Sequence, residues 1–279
     1  MSTAAEAAGA ARAAYSPAVR FRLRGGTLLA LITGLGLAAF GWPLLVRHGA
    51  EADGHSVDAP FVTAALLALL LALVLAEVAD GAIDSKALAM LGVLAAVASV
   101  CRFVSPGIAL SEGLFFFVLV PAGRVLGRGF GFLLGALALF ASALLTVGVG
   151  PWLPFQMLCA GWFGFLAGCL PQRLRGRVEL VALAAYGVVG ALLYGLLMDL
   201  SFWPFRLGEG GGPLQFVPGA PLATNLRHFW SFHLLTGAGY DLARGVSVAV
   251  LVLLTGRPIL AALRRAARRA AFDAPVVLD

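Results

Sequence analysis

Thr146-Val-Gly-Val-Gly-Pro-Trp-Leu-Pro-Phe-Gln-Met157 separates two long apolar runs, residues 129–145 and 158–170. Gly148 and Gly150 permit positive φ, and Pro151 and Pro154 suit the first turn of a helix, where no N–H is required. Trp152 is an amphipathic ring of the kind that membrane interfaces enrich. The stretch therefore reads as a tight hairpin between two membrane-crossing helices. Gln156 falls one turn inside the second helix, where an amide in hydrocarbon needs a partner. It either bonds a neighbouring helix or lines the mouth of a ligand cavity.

Composition extends the membrane reading to the whole chain. Of 279 residues, 61% are hydrophobic and 12% charged, and the mean hydropathy is +0.94. A soluble domain carries roughly twice that charged fraction. The chain is expected to be an all-α, polytopic membrane helical bundle. A net charge of +6 would suit a nucleic-acid partner, but the arginines cluster at the ends of apolar runs, where membrane topology places them. No nucleic-acid role is expected. Three cysteines without a CxxC pair indicate neither a disulfide framework nor a zinc site.

Eight spans can be read outward from the hairpin: 27–46, 61–79, 88–103, 113–126, 129–147, 153–170, 179–200 and 239–255. Residues 1–26 read as a cytoplasmic tail and 27–86 as an N-terminal transmembrane helix pair. Residues 87–256 read as the membrane core and 257–279 as a basic cytoplasmic C-terminal helix. In that last part, Arg264, Arg265, Arg268 and Arg269 share an arc of about 140°, which predicts a helix lying on the inner leaflet. The long Gly/Pro/aromatic segment 201–237 contains an apolar part, 226–235, that dips into the membrane or caps it.

With the N-terminus inside, the tail, the alternate loops and the C-terminal segment hold most of the basic residues. Only Arg47, Arg102, Arg206, Arg227 and Arg244 lie elsewhere. This bias predicts that both termini are cytoplasmic in a plasma-membrane protein. The same topology gathers Arg102, Glu112, Trp152, Gln156, Asp199, Asn225, His228, His233, Tyr240, Asp241 and Arg244 on the outer side. Asp241 and Arg244 are spaced i, i+3 and can pair; Arg102 can pair with Glu112 across its loop. His228 and His233, five apart, do not share a helix face, so no metal site is expected. Ala89, Gly92, Ala96 and Ser99 form a stripe of small residues that permits close helix approach, either within the bundle or to a partner. No HExxH, G-x-S-x-G or Walker motif occurs, so neither an enzyme nor a cofactor is indicated.

From Leu88 onward the chain resembles the substrate-binding S-components of energy-coupling factor (ECF) vitamin transporters. The residues that carry the likeness are the small-residue third span running into Arg102, then Gly123-Arg-Val-Leu-Gly127, Gly129-Phe-Gly-Phe-Leu-Leu-Gly135 and Ser142-Ala-Leu-Leu through Met157. The pattern is similar to actinobacterial S-components of cobalamin-like or unassigned substrate. Those proteins have a six-helix core, so the pair in 27–79 is an addition. The resemblance implies capture of a vitamin-like ligand at the outer face. It also implies partnership with a transmembrane T-component and ABC ATPase subunits. The family's Ala-xxx-Ala coupling stripe falls here on Gly92 and Ala96, with Ala89 on the same face. By position, the family pocket nominates Trp152, Gln156, Asn225, Tyr240, Asp241 and Arg244. The alternatives are a stand-alone secondary transporter, which needs an inverted repeat or a midplane site, and a membrane scaffold or enzyme without a recognisable catalytic site.

Overall fold

The structure is a computed structural model. It describes residues 23–45, 61, 64–73, 76, 85–103, 108–146, 148–206, 212–217 and 219–270. The N-terminal tail, the loop at 47–59, the acidic turn at 77–84 and the segment beyond 270 lie outside the described residues. So does the Ser105-Pro106-Gly107 turn.

Nine helices are found among the described residues, with no strand: α1 (Leu23–Leu45), α2 (Ala64–Leu73), α3 (Ser85–Phe103), α4 (Ala109–Leu126), α5 (Arg128–Leu145), α6 (Leu153–Cys169), α7 (Gly176–Arg206), α8 (Leu222–Thr236) and α9 (Ala238–Ala270). Five of them, α3, α4, α5, the 176–201 part of α7 and α9, are long and apolar enough to cross a membrane. Large apolar side chains such as Leu31, Val93 and Leu254 are exposed on the outer faces. In water such surfaces would drive association, whereas lipid tails solvate them. The protein is a multi-pass helical membrane protein.

The core is organised around α4, which touches α3, α5, α6, α7 and α9. Phe115, Phe116 and Phe117 are consecutive and all buried, as the residues of a helix enclosed on every side must be. Gly127, at φ 100°, lets the chain pass from α4 to α5 through a single residue. The α5–α6 hairpin forms as the sequence predicts. Thr146 N–H closes α5 on the Ser142 carbonyl, and Pro154 sits in the first turn of α6. The two helices approach so closely that a Cβ on Gly131 would overlap the Gly164 carbonyl. In a membrane, where apolar burial gives helices no preference for one another over lipid, contact of this kind is what holds them together.

The 222–236 segment, whose apolar part was expected to dip into the membrane or cap it, is a helix, α8, set beside the ends of α7 and α9. An aromatic cluster of Trp203, Phe229 and Phe232 anchors it. The basic C-terminal segment is not a separate surface helix. α9 runs without interruption through Arg257 and Pro258 to Ala270. The reason is packing: Leu260 is buried, and Ile259, Leu263 and Ala267 rest against the core. This keeps the helix going past a proline that removes one backbone bond. Outside the six-helix body of α3–α7 and α9, α1 leans on α6 and α7, with Phe40 edge-on to Phe155 at 4.9 Å.

Candidate functional site

Because consecutive core helices alternate in direction, polar residues collect at two ends of the bundle. One end is formed by the close of α3, α5 and α7, the start of α4, α6 and α9, and all of α8. Its centre is Arg244, in the first turns of α9 and buried. Arg244 Nη1 donates to Glu112 Oε2 at 2.7 Å. Nη2 donates to the Ala191 carbonyl at 3.2 Å and to Asp241 Oδ1. The guanidinium also faces three rings, with its central carbon 4.9 Å from the Tyr194 centroid, 5.4 Å from Tyr240 and 5.7 Å from Phe116. Such contacts favour a cation all the more when water is excluded. Two buried atoms are left over: Arg244 Nε and Asp241 Oδ2 have no hydrogen-bond partner among the described residues. Beside them, His233 Nδ1 lies 2.8 Å from Asp199 Oδ2.

The i, i+3 pair of Asp241 and Arg244 is present as expected. The Arg102–Glu112 pairing is not. Glu112 is taken by Arg244, 132 residues away, and Arg102 Nη1 donates instead to Ser142 Oγ at 3.2 Å. Glu112 starts α4, which packs along α9, so the fold delivers it to the arginine of α9 and not across its own loop.

The nominated residues divide. Tyr240, Asp241 and Arg244 come together. Asn225 is buried and fully engaged elsewhere: its Oδ1 accepts from Val217 N–H at 2.9 Å and its Nδ2 donates to the Val217 carbonyl at 3.0 Å. It pins the 212–217 loop onto α8. Trp152 is exposed and its Nε1 donates to the Gly148 carbonyl, tightening its own hairpin. Gln156 is half-buried one turn into α6. Sequence reasoning placed Glu112, Asp199 and His233 on this side without assigning them to a site. The rings of Phe116 and Tyr194 it missed altogether.

The opposite end holds a second buried cluster that sequence reasoning did not find. Arg124 and Glu179, with side chains 1% and 2% exposed, pair at 2.8 Å. Arg124 also donates to the carbonyls of Leu170, Pro171 and Leu174, so it clamps the α6–α7 loop. Arg264 from α9 joins Glu179 at 2.6 Å, and Lys86 Nζ donates to the Ala270 carbonyl at 2.9 Å.

The fold and its buried, aromatic-faced arginine define a class: a multi-pass helical bundle with a charged group enclosed at one end. Comparison with known families narrows the class. The family described as ECF transporter, substrate-specific component, matches residues 86–255, well over half the chain, and the protein belongs to that family. No curated protein and no solved structure matches it. The matched region begins at α3, so α1 and α2 lie before it.

Proposed function

We propose that the chain is the solute-capture subunit of an ATP-driven ECF importer and takes a vitamin-class micronutrient, such as a cobalamin-like compound, from outside the cell. The Arg244 niche carries this reading. A buried guanidinium with a free Nε between three rings offers a ligand both a hydrogen bond and flat apolar surface. Family membership supports the transport role. Tyr240, Asp241 and Arg244 are the ligand contacts, with Glu112 positioning the guanidinium. Gln156 and Trp152 approach from the hairpin, and Asn225 holds the loop at the same end. The charge bias supports an orientation with this end extracytoplasmic and both termini inside.

The partners are a transmembrane T-component and ABC ATPase subunits. Ala89, Gly92 and Ala96 are the coupling stripe. All three are exposed, and a Cβ on Gly92 would meet nothing within 4 Å. A shallow apolar groove lined by Ala89, Met90, Val93, Leu94 and Leu263 runs beside them. The N-terminal pair α1–α2 is an addition to the six-helix core. Mass spectrometry of small molecules that co-purify with the detergent-solubilised protein tests the capture role; one organic compound near stoichiometric amount is expected. Protein that assembles with T-component and ATPases yet never retains or imports a solute would move the reading to a scaffold.

A further inference from the structure

Three metal-ligating side chains from three helices meet beside Arg244: Asp199 of α7, His233 of α8 and Asp241 of α9. One donor atom from each lies within 4.8 Å of the others. The niche is shaped to admit them. A Cβ on Gly195 would overlap the Asp241 carboxylate, and one on Gly237 would overlap Asp199 Oδ2. The Asp241 side chain is 5% exposed, yet its Oδ2 has no partner among the described residues. A buried carboxylate oxygen in that state calls for an explanation. His233 Nδ1 is engaged with Asp199 Oδ2 and not with Asp241. Arg244 does not serve Asp241 Oδ2 in this structure: Nη2 meets Asp241 Oδ1, and Nε, itself without a partner among the described residues, makes no bond to Oδ2. Among these groups, three carboxylates stand against one guanidinium.

We propose that Asp199, His233 and Asp241 bind a divalent first-row transition-metal ion of the Zn²⁺ or Mn²⁺ class. One imidazole nitrogen with two carboxylate oxygens is a donor set for such ions, whereas Ca²⁺ and Mg²⁺ take oxygen shells. The ion supplies the positive charge that the cluster lacks and a partner for Asp241 Oδ2. Bonds of about 2.0–2.2 Å to one ion require the three donors to draw in from this spacing. The site ties α7, α8 and α9 together. It does not depend on the importer reading, because metal occupancy is measured on the chain alone.

The test uses tag-free, full-length protein in detergent, stripped with chelator and titrated with Co²⁺ and Zn²⁺. One ion per chain by elemental mass spectrometry, a visible Co²⁺ absorption band, and a Zn²⁺-induced rise in melting temperature that chelator reverses are expected. H233Q and D199N should each weaken Co²⁺ binding at least tenfold. Wild-type protein that gives no band, no retained ion and no thermal shift overturns the site. So do both variants binding Co²⁺ like wild type, which would place the ion elsewhere. If the variants do not fold, the wild-type titration and thermal shift decide alone.

Discussion

Two buried arginines stand at opposite ends of the bundle and are held differently. Arg124 is saturated: a carboxylate and three carbonyls take its hydrogen bonds, and none of its buried nitrogens is left without a partner. Arg244 has two carboxylates, a carbonyl and three rings, and still keeps a buried Nε unpaired, next to an unpaired Asp241 Oδ2. The difference teaches how to tell a structural clamp from a site. Burial and ion pairing are common to both. Unfinished hydrogen bonding is what separates the two arginines, since a buried polar group without a partner is costly unless something arrives to complete it.

The most drastic way to break the comparison concerns which end faces out. Reporter fusions at Gly150 and Gly176 should give opposite, all-or-none readings, outside and inside respectively. A cytoplasmic reading at Gly150 would put the Arg244 niche on the wrong side for capture. Next in size is Arg124→Ala. Removing one partner of a buried pair costs about 3–5 kcal/mol, and here three carbonyls lose their donor as well. Loss of most folded protein in detergent is expected; a melting temperature within a degree or two of wild type would refute the clamp.

A third variant concerns packing toward the clamped end. Gly131→Ala drives a methyl into the Gly164 backbone and should cost about 1–3 kcal/mol as overpacking, read as a lower melting temperature. Fourth, the triple variant E112Q/D241N/R244Q removes the charge of Arg244 together with both carboxylates that it holds. It should remain folded while the amount of co-purifying solute per mole of protein falls at least tenfold, about 1.4 kcal/mol. Unchanged solute would dismiss the pair as ligand contacts and leave Gln156 and the rings. The smallest effect belongs to Gly92→Ala on the open face of α3, where stability should change by less than about 1 kcal/mol. A bulky residue there should spare folding and solute retention yet prevent assembly with the T-component.

The extent to which the molecule was legible from its sequence follows from the range of each interaction. Apolar length and turn chemistry are local, so the bundle, the hairpin at Gly148–Pro154 and the i, i+3 pair of Asp241 and Arg244 could be read directly. Helix rotation is not local. Glu112 meets Arg244, Glu179 meets Arg124 and Asp199 meets His233 only because of how α4, α7, α8 and α9 turn their faces in packing. Arg124 shows the limit of charge counting. It was one more arginine at a span end, indistinguishable from exposed Arg128, until the loop at 170–174 folded over it. The continuation of α9 past Pro258 was hidden for a similar reason: the apolar residues that sustain it are interleaved with arginines.

That continuation makes α9 a lever. From Asp241 to Arg264 is 23 residues of one helix, about 35 Å at helical rise. A tilt of about 5° about the Asp241 end would displace Arg264 by about 3 Å, as much as separates a bonded arginine from a broken contact with Glu179. Pro258 does not break the rod, because Ile259, Leu260 and Leu263 pack against the core around it. One rod thus joins the Arg244 niche to the Arg124–Glu179 clamp, so a change of angle at the first is a displacement at the second.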